Sequence, residues 1–225
     1  MFESKYGKAL TIGLVLLIVI VIGVLIFFTI DYIKSVNTNN EALHEANKFI
    51  NEVKSPEKNN TISNETDTNS QTNVILNIQT ENIISGGDAD DTYKGFKKAG
   101  VIEIPKINLN YIIVSEVDSD SIEVAIAIQE QVSAGLNKVG NTVLVSHNYK
   151  NGTLFSNINN LVKDDKIYIT DKTGTKQSYT IYDIYTTGTG DSEYMERDTN
   201  GQKEITLVTC TNETKSRLVI CAKAD

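Results

Sequence analysis

Glu204-Ile205-Thr206-Leu207-Val208-Thr209-Cys210, then Thr211 to Ser216, then Arg217-Leu218-Val219-Ile220-Cys221, is the stretch that decides the fold. The outer segments are apolar and β-branched, and the connection is made of turn-forming and polar types, so the spacing predicts two paired strands. Antiparallel pairing across that loop sets the Cys210 thiol beside the Arg217 guanidinium at one rim of a sheet. A nucleophile with a permanent cation next to it suits acyl transfer. In the same register Cys221 falls opposite Thr206, about 13 Å from Cys210 at roughly 3.3 Å per residue. A disulfide needs Cα atoms within about 7 Å, so both thiols are expected to be free.

Working outward, the compact pattern begins near Phe96 and continues to Asp225. Val101–Ile104, stopped by Pro105, and Leu109–Val114 read as strands. Thr142–Ser146 is an apolar strand that ends at His147. Lys166–Thr170 and Ser178–Tyr185 alternate with period two around a Thr173-Gly174-Thr175 turn, as a hairpin does. Ser121 is placed to cap a helical run over 122–128, although β-branched residues there suit a strand equally. Leu154 to Leu161 reads as a short helix, and Thr186 to Gln202 as a long polar loop. Many short strands with little helix indicate an all-β sandwich or closed barrel.

The chain has 225 residues, a net charge of −8, two cysteines and two histidines. The acidic balance argues against nucleic-acid binding, which calls for a basic patch. So few Cys and His leave little room for a Cys/His zinc site. His147 is the one histidine in the folded part, and an imidazole near Cys210 can stabilise a thiolate and protonate a leaving amine.

Leu10 to Ile30 is apolar and free of charge, and its 21 residues span about 30 Å as a helix. Its length, and its end in Phe27-Phe28-Thr29-Ile30, favour a retained anchor over a cleaved signal peptide. With Lys5 and Lys8 ahead of it, the positive-inside rule expects residues 1–9 in the cytoplasm, a transmembrane helix at 10–30 and the remainder outside the cell. Residues 31–95 read as a polar extracytoplasmic stalk. Within it, 41–53 forms a helix with Leu43, Ala46, Phe49, Ile50 and Val53 on one face, and 55–73 is too polar to pack. Val74 to Ile84 reads as a strand or a docking segment, one that would inhibit the site if it lay in the groove, and Ser85 to Asp91 is a flexible acidic break.

Thr206-Leu207-Val208-Thr209-Cys210 resembles the TLxTC signature of sortases, the cysteine transpeptidases of Gram-positive surfaces. His147-Asn148 after an apolar strand, Arg217 on the next strand and the Phe96–Pro105 entry are similar to the same family over roughly residues 96–225. The resemblance implies a mostly β domain at 96–225, a closed eight-stranded barrel with short helices, with His147, Cys210 and Arg217 catalytic and Thr209 and Thr211 contacting substrate. It implies cleavage of an LPxTG-like sorting signal through a thioacyl enzyme, then transfer to an amine of a cell-wall precursor or a pilin. Surface or pilin proteins are then the partners, and no cofactor is required. Calcium is the one metal to consider, on Asp191, Glu193, Glu196 and Asp198, although exposed acidic loops are ordinarily just solvated. Prolines occur only at 56 and 105, so a lid with an Asp-Pro-aromatic motif is missing and an open-groove class A- or D-like anchoring enzyme is favoured. The alternatives are a pilin-linking sortase, a cysteine endopeptidase and a non-catalytic, membrane-tethered peptide-binding barrel.

Overall fold

A computed structural model describes residues 5–54, 91–211 and 215–225. Helix α1 (Lys5–Lys54) is followed by strands β1 (Thr92–Tyr93), β2 (Phe96–Ile104) and β3 (Leu109–Val114). Then come the single-turn helix α2 (Ser121–Val124), β4 (Ile126–Ile128), β5 (Gly140–Val145), β6 (Lys166–Asp171), β7 (Lys176–Gly188), β8 (Lys203–Cys210) and β9 (Ser216–Ala224). The sheet runs β1-β2-β3-β4-β5-β8-β9-β7-β6 and closes through a β2–β6 pairing, which makes a barrel of eight strands with β1 alongside. The helical run expected over 122–128 is shortened to α2. Beyond Ala125, Ile126 and Ala127 join the sheet beside β3, and Ala127 and Ile128 pair with β5, because this apolar run is buried on both faces. The stretch at Leu154–Asn160 is 3-10 helix.

Side-chain alternation sorts the apolar residues into an interior and two covered outer patches. Ile102, Ile104, Ile113, Leu144, Ile169, Ile181, Leu207 and Ile220 point inward and pack with Phe155 and Ile158. Their neighbours Val101, Ile112, Val114 and Ala127 point outward and are also buried, because α1 lies on them through Ala46 and Phe49. On β5, β8 and β9 the outward Val143, Val208, Val219 and Cys221 are covered by Tyr194 and Met195 of the β7–β8 loop. These strands therefore read as unbroken apolar runs, whereas β7 keeps the alternation of a half-solvated strand.

α1 continues without interruption from the apolar run to Lys54. Its window of highest hydropathy is fully exposed in the chain itself, so the helix is long and apolar enough to cross a membrane. Over residues 35–53, where a spacer is expected, the helix is docked on the barrel. The docked face is Ser35, Asn39, Ala42, Ala46, Phe49 and Val53, recurring every three or four residues. Leu43, expected on this face, is exposed, and Ala42 takes its place. Lys98 on β2 is only 2 % exposed and pairs with Glu45 at 3.5 Å. At the far end of the helix, Gly174 in the β6–β7 hairpin has φ +78°, and a Cβ there would lie 3.0 Å from the Val53 carbonyl. The expected segment Val74–Ile84 and most of the break before Asp91 lie outside the described residues.

Gly100 sits where the β2–β3 register shifts, with β6 on its other side. A Cβ there would lie 2.4 Å from the Thr170 carbonyl oxygen and 2.6 Å from Leu136 Cδ1. Gly100→Ala is expected to destabilise the barrel by about 2–3 kcal/mol. Gly188→Ala, which meets nothing within 4 Å, should be close to neutral. Urea unfolding followed by tyrosine fluorescence measures both.

Candidate active site

β8 and β9 pair antiparallel with Val208 opposite Val219, Thr209 opposite Leu218 and Cys210 opposite Arg217. That register brings Arg217 Nη1 to 2.8 Å from Cys210 Sγ, so the guanidinium donates directly to the sulfur. β5 runs parallel to β8 with Val145 opposite Val208, and the Ser146 N–H extends the ladder to the Val208 carbonyl at 3.4 Å. Continuing the register by two residues places His147 level with Cys210 on the adjacent strand line. All three side chains are half-buried, open at one rim of the barrel.

Side-chain bonds weld the two strand ends together. Thr209 Oγ1 donates to the Ser146 carbonyl at 2.7 Å, and Asn148 Nδ2 donates to the Cys210 carbonyl at 3.3 Å. Ser146 Oγ donates to the Ala125 carbonyl at 2.9 Å, tying the end of β5 to the end of α2. The His147 ring lies 5.0 Å from the exposed ring of Tyr149, tilted by 37°. Thr209 is 2 % exposed with its hydroxyl committed to Ser146, which places it beneath the site. Thr211 is half-buried and its N–H pairs with the Ser216 carbonyl, closing the base of the loop after Cys210.

Arg197 in the β7–β8 loop organises the support below. It donates to Tyr182 Oη, to Asn141 Oδ1 at 3.1 Å and to Thr206 Oγ1 at 2.8 Å, and pairs with Glu204 at 3.0 Å. Asn141 Nδ2 also holds the Tyr194 carbonyl at 3.1 Å. Tyr194 packs under Val208 and Val219, each two residues from Cys210 or Arg217 on its strand. Burial pushes its hydroxyl pKa up, against the opposing pull of the Arg217 charge. Asp191 accepts from Thr187 Oγ1 and the Glu193 N–H, and Asp198 accepts from the Asn200 N–H. Among the described residues no three His, Cys, Asp or Glu side chains converge as a metal site. Arg197 was not singled out in the sequence, whereas Ser146 stands out there as the residue before His147, where the family often has glycine. The available signal was that Arg197 and Arg217 are the chain's two arginines, where lysine supplies every other cation.

Residues 102–225 match the family model of the sortase domain, more than half of the chain. The chain belongs to the sortase family. Sortase A of Bacillus anthracis is 32 % identical over 116 residues, which are 49 % of this chain and 51 % of that protein. The chain thus spans about half the length of that curated relative. Among solved structures, the Clostridium perfringens sortase D5 transpeptidase is 31 % identical with a TM-score of 0.53, covering 57 % of this chain and 79 % of that one. Sortase A from Corynebacterium diphtheriae, as a lid mutant, is 26 % identical with a TM-score of 0.53, covering 58 % and 71 %. The eight-stranded barrel expected for a sortase is the one observed.

Both cysteines of this sortase are free, and they differ in environment. Cys221 is 1 % exposed, and burial pushes its thiol above the ordinary range, so it keeps its proton. Iodoacetamide at neutral pH should add a single group to the folded protein, at Cys210, and two after unfolding in urea. Mass spectrometry of Cys210→Ala and Cys221→Ala assigns each site.

Proposed function

We propose that this sortase is a membrane-anchored cysteine transpeptidase that cleaves an LPxTG-like sorting signal and joins the acyl fragment to an amine. The observation that carries the reading is the 2.8 Å contact of Arg217 Nη1 with Cys210 Sγ, in a rim that His147 also borders. A permanent positive charge beside the sulfur suits a step in which negative charge passes from the sulfur to the substrate oxygen.

Attack of the Cys210 sulfur on the Thr carbonyl of the signal forms a C–S bond and puts negative charge on the oxygen. Arg217, released from the sulfur as its charge is consumed, turns its donors to that oxygen. Collapse breaks the Thr–Gly C–N bond, and His147 gives its proton to the departing Gly amine. The acceptor amine then attacks the thioester and loses a proton to His147, and the C–S bond breaks to restore the thiolate. Acceptor amines are those of a cell-wall precursor or a pilin, and donors are surface or pilin proteins bearing the signal. The half-buried rim, walled by the β7–β8 loop, suits an extended peptide. The apolar run at 10–30, with Lys5 and Lys8 before it, supports a single-pass anchor with the barrel outside the cell.

Incubating the full chain in detergent with LPxTG-type peptides, with and without oligoglycine, should yield a ligated product by mass spectrometry. Cys210→Ala and His147→Ala should abolish it, Arg217→Ala should slow it about 100- to 1,000-fold, and Cys221→Ala should leave it unchanged. Cleavage without ligation would support the endopeptidase instead. A folded protein that forms no adduct with any such peptide would make the barrel a binding module.

A further inference from the structure

The part of α1 that follows the apolar run touches the loop that carries His147. Ser35 Oγ donates to the Asn151 carbonyl at 2.5 Å, and Asn39 Nδ2 donates to the Gly152 carbonyl at 3.1 Å. Tyr111 Oη donates to Asn39 Oδ1 at 2.5 Å, which fixes the amide with its nitrogen toward the loop. At its other end the same loop is tied to the nucleophile strand by Asn148 on the Cys210 carbonyl, and the His147 carbonyl accepts from Phe155 N–H at 3.1 Å.

This loop does not hold its own shape cheaply. Lys150 and Leu154 adopt φ of +58° and +50°, and Gly152 +85°. For residues with a Cβ the left-handed region costs about 1–2 kcal/mol each, so such a backbone persists where its surroundings over-determine it. Asn151 Oδ1 secures the exit by accepting from Thr153 N–H and Oγ1. The tip between Asn148 and that turn is held from outside by Ser35 and Asn39.

We infer that Ser35 and Asn39 are positioning residues of the sortase site, which makes the anchor helix a part of the active centre through the 147–153 loop. This rests on the transpeptidase reading above. Ser35 and Asn39 lie five and nine residues beyond Ile30, about 7 and 13 Å along the helix axis. Whatever sets the depth of the apolar run in a bilayer therefore also sets the height of the His147 loop above it.

The test uses the full chain in detergent micelles. Asn39→Asp keeps the acceptor for Tyr111 but removes the donor to Gly152, and Ser35→Ala removes the other contact. The double variant should lower kcat about tenfold with KM within twofold, because the defect lies in placing a proton donor and not in holding peptide. With two histidines in the chain, 13C labelling gives two ring signals. The His147 signal should shift or broaden, while that of His44, on the exposed side of α1 with its side chain 79 % exposed, stays in place. Asn37→Asp, the same change on the exposed face, should move nothing, and Ser35→Thr should restore the hydroxyl and the rate. An unchanged kcat with an unmoved His147 signal would overturn the inference. So would a rate loss that follows a lowered melting temperature while the ring signal stays. If the unaltered chain turned over no peptide, the functional reading would fail, and the ring signals would still decide the coupling.

Discussion

The hydrogen-bond register of β5, β8 and β9 is the constraint on which the site depends. Side chains alternate across a strand, so a one-residue slip between β8 and β9 would carry Arg217 to the opposite face from Cys210. The register is held where slipping is most costly. Inward Leu207 and Ile220 face each other in the barrel interior, and outward Val208 and Val219 lie under Tyr194. With both faces of the pair buried, no shifted alignment leaves the apolar side chains covered. The Cys210–Arg217 contact is thus the end point of a ladder fixed several residues earlier, and it needs little local rigidity of its own.

The polar cluster around Arg197 belongs to the same constraint. Thr206 and Glu204 on β8, Asn141 on β5 and Tyr182 on β7 all converge on one guanidinium carried by the loop above them. Glu204 is 11 % exposed at its side chain, where it meets Arg197 and accepts from the Tyr182 hydroxyl at 2.7 Å. Removing one member of such a group leaves the others desolvated and unmatched, which makes the cluster all-or-none. It pins a long loop to the outer wall of the strands that carry Cys210 and Arg217. Two arginines therefore serve the same strand pair: one at the rim, meeting the thiol, and one on the wall, holding the covering loop.

What could be read from the sequence, and what could not, follows from the range of the interactions. The strands and the Cys210–Arg217 register were legible because β-branched runs and a six-residue connection are local patterns. His147 was legible because it is rare and ends a strand. Ile126–Ile128 was ambiguous, since its three residues are held by β3 and β5 and not by their own period. Thr209 entered the site only through the resemblance of the Thr206–Cys210 signature. Its hydroxyl reaches Ser146, 63 positions earlier, a partner no local pattern reveals. The docked face of α1 was half visible: the period was present, but Ser35 and Asn39 are polar and look like solvent residues until Asn151, Gly152 and Tyr111 are placed against them.

The composition of that face explains why the helix docks as it does. Toward Lys54 it is apolar, with Ala46 and Phe49 buried against Val101 and Ile112, and supplies non-directional adhesion. Toward the apolar run it is Ser35 and Asn39, whose hydrogen bonds have direction and fix rotation and height. Ala42 lies between them with no exposure, small enough to let the backbone of α1 approach the barrel closely. An apolar face alone would permit the helix to slide or turn by a fraction of a residue on a smooth sheet surface. Two directional bonds to consecutive carbonyls, Asn151 and Gly152, remove both freedoms at the end nearest His147. Adhesion is thus placed far from the site and alignment close to it, the division required if the helix is to set the His147 loop as well as tether the barrel.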